Sequence, residues 1–469
     1  MAAAAQGANL VEKALGHTGD AITEQDMSNP ERDPQKYADP DGEKMQALVW
    51  NGKNSVQLKE CPKPRILEDT DVIVKVTGST ICGSDLHLLH GAVVELQKGD
   101  ILGHEFCGKI DIIGPGVKRL KPNDRVVCSF QIACGQCMYC KQKLSSQCEK
   151  TNSNKIANIM YGGRTAGMLG YSHFTGGFAG GQAEYVRVAL ADVNLLKLPD
   201  DVPDEKGLYL SDVLATSWNC VVDTGVRPGD VVAIWGSGPI GHMCAEMSFF
   251  NGAKRVILID GGAAAWRLDF VKEKLPNVET LDYTKLPKGD SVTEHLKKLE
   301  HGGPDVALEC AAGEYAKGWA HYFEMLVGAE TDTSEIINEM ITSVKSYGRC
   351  GVTGVYVGFV SLPTKLSRKL TEPNTRQTNH FNIGSLMERG VRLIGNGQAP
   401  VHLYWKSLLN MIQGGQLDPL QMVTHRIDLS DMDKLYHKYD AREPGLQKVF
   451  VQTKFSDPPC KGGPELTKL

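Results

Sequence analysis

The chain has 469 residues, 41% hydrophobic and 23% charged, with a formal net charge of -5 and a pI near 6.2. This is an ordinary globular balance, long enough for two or three domains with sizeable cores. It argues against a nucleic-acid binder, which would carry a basic footprint, and against a membrane protein, since no apolar run approaches the roughly 18 residues a spanning helix needs.

Residues 1–44 read as a flexible tail. They contain NPERDPQKYADPDGEK, rich in proline and charge, and offer little apolar surface to bury. The start, MAAAAQGANLVEK, lacks a basic segment and reaches Glu12 early, so no secretory signal is expected. Residues 45–199 follow as short strands, turns and loops that carry metal-ligand side chains. TICGSDLHLLHG (80–91) and ILGHEFCGKI (101–110) come first. Taken singly, Cys82 is a buried thiol and His104 a core histidine. Together they supply one soft and one borderline donor, which suits a catalytic zinc with an open position. YLSDVLATSWNCVV (209–222), on a helix entered through LLKLPDDVPDE (195–205), adds Asp212. Glu105 is an alternative ligand or a supporting carboxylate. Asp85 is suited to hold His104 in one tautomer. Ser84 and His87 remain to carry a proton from a buried site to water.

ACGQCMYCKQKLSSQC (133–148) holds four of the thirteen cysteines as C-x2-C-x2-C-x7-C. Cys134, Cys137, Cys140 and Cys148 can close a tetrahedron of thiolates with no open position, the requirement of a structural zinc. An iron–sulfur run would end in C-x3-C-P, whereas here no proline follows Cys148. Disulfides are the remaining alternative. The odd cysteine count, with Cys107, Cys128, Cys310 and Cys350 each in apolar surroundings, fits a reducing compartment such as the cytoplasm. The final TKL faintly resembles a peroxisomal SKL signal.

VVAIWGSGPIGHMCAEMSFFNGAKRVILID (231–260) reads as a buried strand, a glycine turn, a helix to about Phe250, and a second strand ending at Asp260. That context makes the G-x-G-x-x-G pattern a dinucleotide fingerprint. Gly236 forms the turn, Gly238 admits the pyrophosphate, and Gly241 lets helix pack on strand. Pro239 and Ile240 open the helix, whose free N–H groups and dipole face the phosphates. Asp260 is placed for the ribose hydroxyls and repels a 2′-phosphate, which favours NAD over NADP. Strand and helix alternate from about residue 228, as in a doubly wound sheet. DVALECAAG and RCGVTGVYVG are further strands. Ligands collect at carboxyl ends, so Gly354 and Val355 are expected near the nicotinamide. Residues 359–390 read as a polar excursion: a surface loop, or a segment beside the cofactor or at a subunit contact. VTHRIDLSDMDKLYHKYD has strand-then-helix character.

Together, ICGSDLH, LGHE, ACGQCMYC, TGGFAGGQAEYVRVALADVNLLKLPDD, YLSDVLATSWNCV and GSGPIG resemble the zinc-dependent medium-chain alcohol dehydrogenases, and most of all their formaldehyde-dehydrogenase-like branch. The resemblance runs in order over residues 45–455. It implies an α/β protein. A GroES-like β-rich catalytic domain would span 45–215 and 393–455, with a Rossmann doubly wound parallel sheet over 216–392 and a tail over 456–469. It implies a homodimer or homotetramer, a small-molecule alcohol or aldehyde substrate, one catalytic and one structural zinc, and NAD. It puts the catalytic metal on Cys82, His104 and Asp212 with Glu105 nearby, the proton relay on Ser84 and His87, and Thr216 against the nicotinamide. Asp212 stands where many relatives in other branches carry a cysteine. The family's adenine-end arginine corresponds to Arg267, farther past Asp260 than is usual. The implied activity is hydride transfer from an alcohol or an aldehyde hydrate, formaldehyde included, to NAD. Two alternatives accompany it: an aldehyde dismutase that retains NAD, and a non-catalytic NAD-binding protein.

Overall fold

A computed structural model describes residues 20–311, 334–354 and 381–469. In chain order the first strands are β1 (Lys44–Gly52), β2 (Ser55–Pro62), β3 (Val72–Ser79), β4 (Phe106–Ile113), β5 (Arg125–Cys128), β6 (Gln131–Ile132), β7 (Gly167–Met168), β8 (Tyr185–Val188) and β9 (Leu195–Lys197). A second set follows as β10 (Val231–Trp235), β11 (Arg255–Asp260), β12 (Glu279–Asp282), β13 (Val306–Glu309), β14 (Arg349–Val352) and β15 (Arg392–Gly395). The chain closes with β16 (Val423–Asp428), β17 (Lys448–Gln452) and β18 (Leu466–Thr467). Two compact units result, one from Met1–Ala215 with Pro400–Leu469, the other from Thr216–Ala399.

The first unit is built on a sheet ordered β18-β16-β17-β3-β4-β5-β9, with β8 also on β3. β3 is the hub: VIVKVTGS is buried along nearly its whole length, so it serves both faces of the sheet. Val72, Val74 and Val76 pack on Phe106, Ile110 and Val126. A second cluster joins Leu48, Ile81, Leu88 and Leu89 to Tyr436, Val449 and Val451 of the returning chain.

The second unit is a six-stranded sheet, β12-β11-β10-β13-β14-β15, parallel throughout. This is the doubly wound order, which reverses between β10 and β13. All five residues of VVAIW in β10 are buried, as in a strand covered on both faces. The helix Pro239–Phe250 follows the glycine turn, as the sequence predicts.

Three boundaries differ from the sequence reading. The limit drawn after residue 392 falls inside β15, which pairs in parallel with β14 and belongs to the second unit. The predicted C-terminal tail from 456 is anchored: β18 pairs with β16, and the Cys460 N–H donates to Glu205 at 3.0 Å. The predicted N-terminal tail is packed from about residue 20. The Ile22 and Met27 amides donate to Lys150 and Gly177 carbonyls, and Ser28 is fully buried. Composition undervalued this segment because its order rests on partners far along the chain. The excursion at 359–390 lies outside the described residues up to 380; beyond it Ile383–Glu388 is helical.

The clasp on the N-terminal segment is His173. Its Nδ1 lies 2.6 Å from Asp26 and its Nε2 3.3 Å from buried Asp100, which also accepts from Ser28 at 2.7 Å. Burial opposes the imidazolium, but hydrogen bonds to Asp100 and Asp26 prevail and raise its pKa to about 9. A raised pKa stabilises the fold fully below the unfolded value near 6.5, and the gain disappears as pH climbs through 9. The upper bound is on the order of 3 kcal/mol. Proteolysis within residues 20–44 is therefore expected to accelerate between pH 6.5 and 9 in the natural chain, and His173→Gln should flatten that profile. An unchanged profile in the variant would show that another group sets it.

Candidate functional site

The helix Gly83–Leu89 begins directly after Cys82. Asp85 accepts the Cys82 N–H at 2.8 Å, which fixes the loop entering the helix. His104 and Glu105 precede β4 and are both almost wholly buried. Asp212 sits at the break between the turn Leu208–Ser211 and the helix Val213–Thr224, with φ -146° and ψ -71°. The sequence reading placed it on a helix. The break instead turns its carboxylate toward His104.

These four residues converge. Cys82, His104, Glu105 and Asp212 each bring one donor atom within 4.8 Å of the others. His104 Nε2 is 3.4 Å from Asp212 Oδ2 and 3.8 Å from Glu105 Oε1, while its Nδ1 faces Asp85 Oδ1 at 3.4 Å. Neither ring nitrogen has a hydrogen-bond partner although His104 is buried. The ring is gripped edge-on by Tyr171 and Phe130, at centroid distances of 5.1 and 6.1 Å. Burial disfavours a charged His104, yet Tyr171, Asp85 and Asp212 push its pKa well above the ordinary value. Burial likewise raises Glu105. Both shifts have one physical meaning: acidic groups outnumber cations in a desolvated pocket. Soft sulfur, imidazole and carboxylate facing each other with orphaned nitrogens fit a bound zinc.

One cation is already there. Lys448 Nζ donates to Glu105 at 2.6 Å and to the Ile81 carbonyl at 3.0 Å. Glu105 is thus committed to Lys448 through one oxygen, while Oε2 has no partner. Gln182 donates to Asp85 at 3.3 Å and accepts from the Tyr436 hydroxyl at 2.8 Å, which extends the support behind His104. The sequence reading named Asp85 but missed Lys448, Gln182, Tyr171 and Tyr436. Gln182 lies inside the quoted GGQAEYV motif, a signal that was available; the others have no local signature. Ser84 and His87 are buried on the helix beside Cys82, and the Ser84 hydroxyl reaches the Tyr171 oxygen.

The four-cysteine loop is also assembled. Cys134, Cys137, Cys140 and Cys148 present sulfurs within 4.8 Å of one another, with Cys134 and Cys140 3.8 Å apart. Backbone N–H groups of Gln136 and Cys137 donate to Cys134 sulfur, and that of Cys134 donates to Cys148. Hydrogen bonding from Cys140 pulls Cys148 down to about 5 against burial, and the same contact pushes Cys140 up. The 3.8 Å between Cys134 and Cys140 matches the edge of a tetrahedron with bonds of about 2.3 Å. All thirteen cysteines of the chain are free thiols.

In the second unit the glycine turn has the predicted form. Gly236 takes φ +100°, and a Cβ there would sit 2.8 Å from the Cys310 backbone. At Gly241 it would be 1.9 Å from the Gly236 carbonyl. At Gly238 the space is open apart from Arg267 Nη1 at 3.7 Å, which leaves a cradle with a guanidinium over it. Arg267 Nε has no hydrogen-bond partner. Pro239 and Ile240 open the helix, half-buried. This cradle fits a dinucleotide pyrophosphate. Asp260 accepts from the Ser237 amide and hydroxyl at 2.7 and 2.6 Å and from the Gly261 amide at 2.8 Å. Its carboxylate therefore braces the turn at the place where ribose hydroxyls are expected. Thr216 is half-buried in the first turn of Val213–Thr224. The Gly354 N–H donates to buried Glu309 at 2.7 Å, so a role for Gly354 runs through its shape or carbonyl. Val355 lies outside the described residues.

With fold and sites in place, the chain can be set beside known proteins. Residues 68–200 match the alcohol dehydrogenase GroES-like domain. The chain is 35% identical over 445 residues to a zinc-type alcohol dehydrogenase-like protein of Schizosaccharomyces pombe, covering 94% of this chain and 97% of that one. It is 30% identical over 423 residues to a glutathione-independent formaldehyde dehydrogenase of Pseudomonas aeruginosa, covering 86% and 96%. A formaldehyde dismutase of Pseudomonas putida is 31% identical over 411 residues, covering 85% and 95%. Among solved structures, alcohol dehydrogenase TADH from Thermus sp. ATN1 superposes with a TM-score of 0.68 at 28% identity, covering 87% of this chain and all of that one. The chain belongs to the zinc-dependent medium-chain alcohol dehydrogenase family, in its formaldehyde-dehydrogenase-like branch.

Proposed function

We propose that this chain is an NAD-dependent zinc oxidoreductase acting on a small alcohol or an aldehyde hydrate, with formaldehyde as the leading substrate. The observation that carries this reading is the convergence of Cys82, His104, Glu105 and Asp212 in a buried acidic pocket. When bound, zinc supplies Lewis-acid polarisation of a substrate oxygen and the nicotinamide supplies a hydride acceptor. The protein's own work is placement, charge and proton movement. Asp85 and Gln182 hold His104 in orientation behind the pocket. Lys448 compensates Glu105, so the donor set carries less uncompensated negative charge. Tyr171 and Phe130 wall the imidazole and limit water. Ser84 takes the hydroxyl proton of the substrate, and His87, one helical turn on, passes it outward. In the second unit Gly238 and Arg267 receive the pyrophosphate. Asp260 disfavours a 2′-phosphate by like charge.

The likeness to glutathione-independent formaldehyde dehydrogenases supports oxidation of the free aldehyde hydrate. A second reading, dismutation of two aldehydes through retained NAD, draws on the likeness to a formaldehyde dismutase. One assay separates them. The zinc-replete protein is given formaldehyde with and without NAD, NADP or glutathione, and NADH, formate and methanol are measured. NADH with formate, independent of glutathione and poor with NADP, is expected. Equal methanol and formate without added NAD would favour dismutation. Turnover of larger alcohols alone would remove formaldehyde as substrate.

A homodimer or homotetramer is the assembly we favour. Edge strand β15 is largely exposed, and Ile383 and Met387 beside it are 60% and 66% exposed. Light scattering that gave the 51.1 kDa mass of one chain would refute it. No helix among the described residues is long and apolar enough to cross a membrane. The free thiols suit a reducing compartment such as the cytoplasm.

A further inference from the structure

A third cysteine cluster lies in the second unit, and no part of the dehydrogenase reading uses it. Cys220 comes from the helix Val213–Thr224, Cys244 from the helix Pro239–Phe250, and Cys310 from the end of β13. Their sulfurs all lie within 4.8 Å of one another, with Cys310 and Cys244 3.8 Å apart. Cys220 and Cys244 are fully buried, while Cys310 is partly exposed. No histidine or carboxylate joins the group among the described residues.

We propose that Cys220, Cys244 and Cys310 form a three-sulfur site for a soft monovalent metal ion, Cu(I), separate from both zinc sites. The argument is first geometric. Three sulfurs bonded to one central ion at about 2.3 Å and 120° stand about 4.0 Å apart, close to the spacing seen. Only small rotamer adjustments would be needed to close the triangle. The second argument is chemical. A zinc site of this protein's kind takes four protein ligands, or three with a catalytic opening; this one offers three sulfurs and no hard donor. All-sulfur, low-coordinate surroundings select soft cations, Cu(I) foremost among those cells contain. The third is electrostatic. The neighbouring Cys244 and Cys310 thiols donate hydrogen bonds toward Cys220 and hold its pKa well below the ordinary thiol value despite burial. The ligand form is the thiolate, so binding displaces the protons of Cys244 and Cys310, with any left on Cys220, to water. The partly exposed Cys310 gives the ion its way in. Ordinary core cysteines of this chain, such as Cys128, stand without a thiol partner. Three arriving from three separate elements is a different arrangement.

The site abuts the dinucleotide turn. The Cys310 backbone lies where a Gly236 Cβ would fall, and the Cys310 Cβ is 3.6 Å from the corresponding point at Gly241. A metal here would tie helix Val213–Thr224, helix Pro239–Phe250 and strand β13 together directly beneath the glycines.

The test is an anaerobic titration of the zinc-replete full chain with Cu(I) against a chromophoric cuprous chelator, with zinc followed in parallel. One Cu(I) per chain is expected to be withheld from the chelator while zinc stays bound. Cys244→Ala and Cys310→Ala should each weaken retention at least tenfold. Cys460→Ser, at a half-buried thiol of the first unit, should leave it unchanged. Copper absorption-edge spectroscopy on the natural chain provides a check that needs no variant, and should show three sulfur scatterers and no nitrogen or oxygen. Copper held only with loss of zinc, equal retention by Cys244→Ala, or a copper shell containing nitrogen would each overturn the assignment.

Discussion

Replacing Cys82 by alanine is expected to lower turnover by more than about a thousandfold, over 4 kcal/mol of barrier, while the melting temperature moves by only a few degrees. The reason lies in what the side chain does. The Asp85 carboxylate holds the Cys82 backbone N–H at 2.8 Å, and alanine keeps that bond. The apolar packing around the loop comes from Ile81, Leu88 and Leu89, which stay in place. What disappears is the single sulfur donor of the pocket. Zinc per chain should fall from two to one. A variant that unfolds early, or one that keeps activity with one zinc, would refute the assignment of Cys82 to a catalytic metal.

Cys140→Ala should give the opposite pattern. The four-cysteine loop owns almost no apolar core: Cys134, Cys148 and Ala166 are its buried cluster. Its helical content is the single α-turn Met138–Lys141 and the 3-10 turn Ser145–Gln147. So small a lobe depends on metal for order, and metal affinity there is folding free energy. Loss of one ligand is expected to lower the melting temperature by about 10 °C or more and to open residues 134–148 to protease, with any loss of turnover tracking the unfolded fraction. Stripping zinc from the natural chain by chelation should reproduce the protease sensitivity. If Cys140→Ala instead kept its melting temperature and lost turnover, the division between the two metals would be reversed.

Local spacing made much of this readable. The cysteine quartet, the glycine turn with Asp260, and the strand alternation of the second unit are short-range patterns, and the folded chain realises each of them. Cys82, His104 and Asp212 were legible because each sits in its own compact motif. What escaped was everything whose meaning is supplied from far away. Lys448 looks like one more cation in GLQKVFV, yet it is buried 343 positions from its partner Glu105. Tyr436 and Glu309 have no signature beyond apolar or acidic character. The segment at 20–44 carries a disordered composition, but His173 and Asp100 pin it. The limit at 392 failed because β15 is mostly exposed, so its burial pattern does not announce a central strand. Cys220, Cys244 and Cys310 each read as an ordinary core thiol until three elements bring them together.

The interleaving of the first unit bears on how the chain is made. The doubly wound sheet is one continuous stretch and can close as soon as it has left the ribosome. The hub strand β3, by contrast, must wait for β17, with which it pairs at Ser79 and Val451. Thr80 likewise donates to the carbonyl of Val449, 369 positions later. Until the last few dozen residues are synthesised, Glu105 lacks Lys448 and the acidic pocket has no internal counter-ion. A nascent chain therefore passes through a long interval with its cofactor-binding half complete and its catalytic half open at the seam. Premature termination between residues 400 and 447 would yield a product that keeps the dinucleotide turn and lacks the Lys448 that completes the pocket.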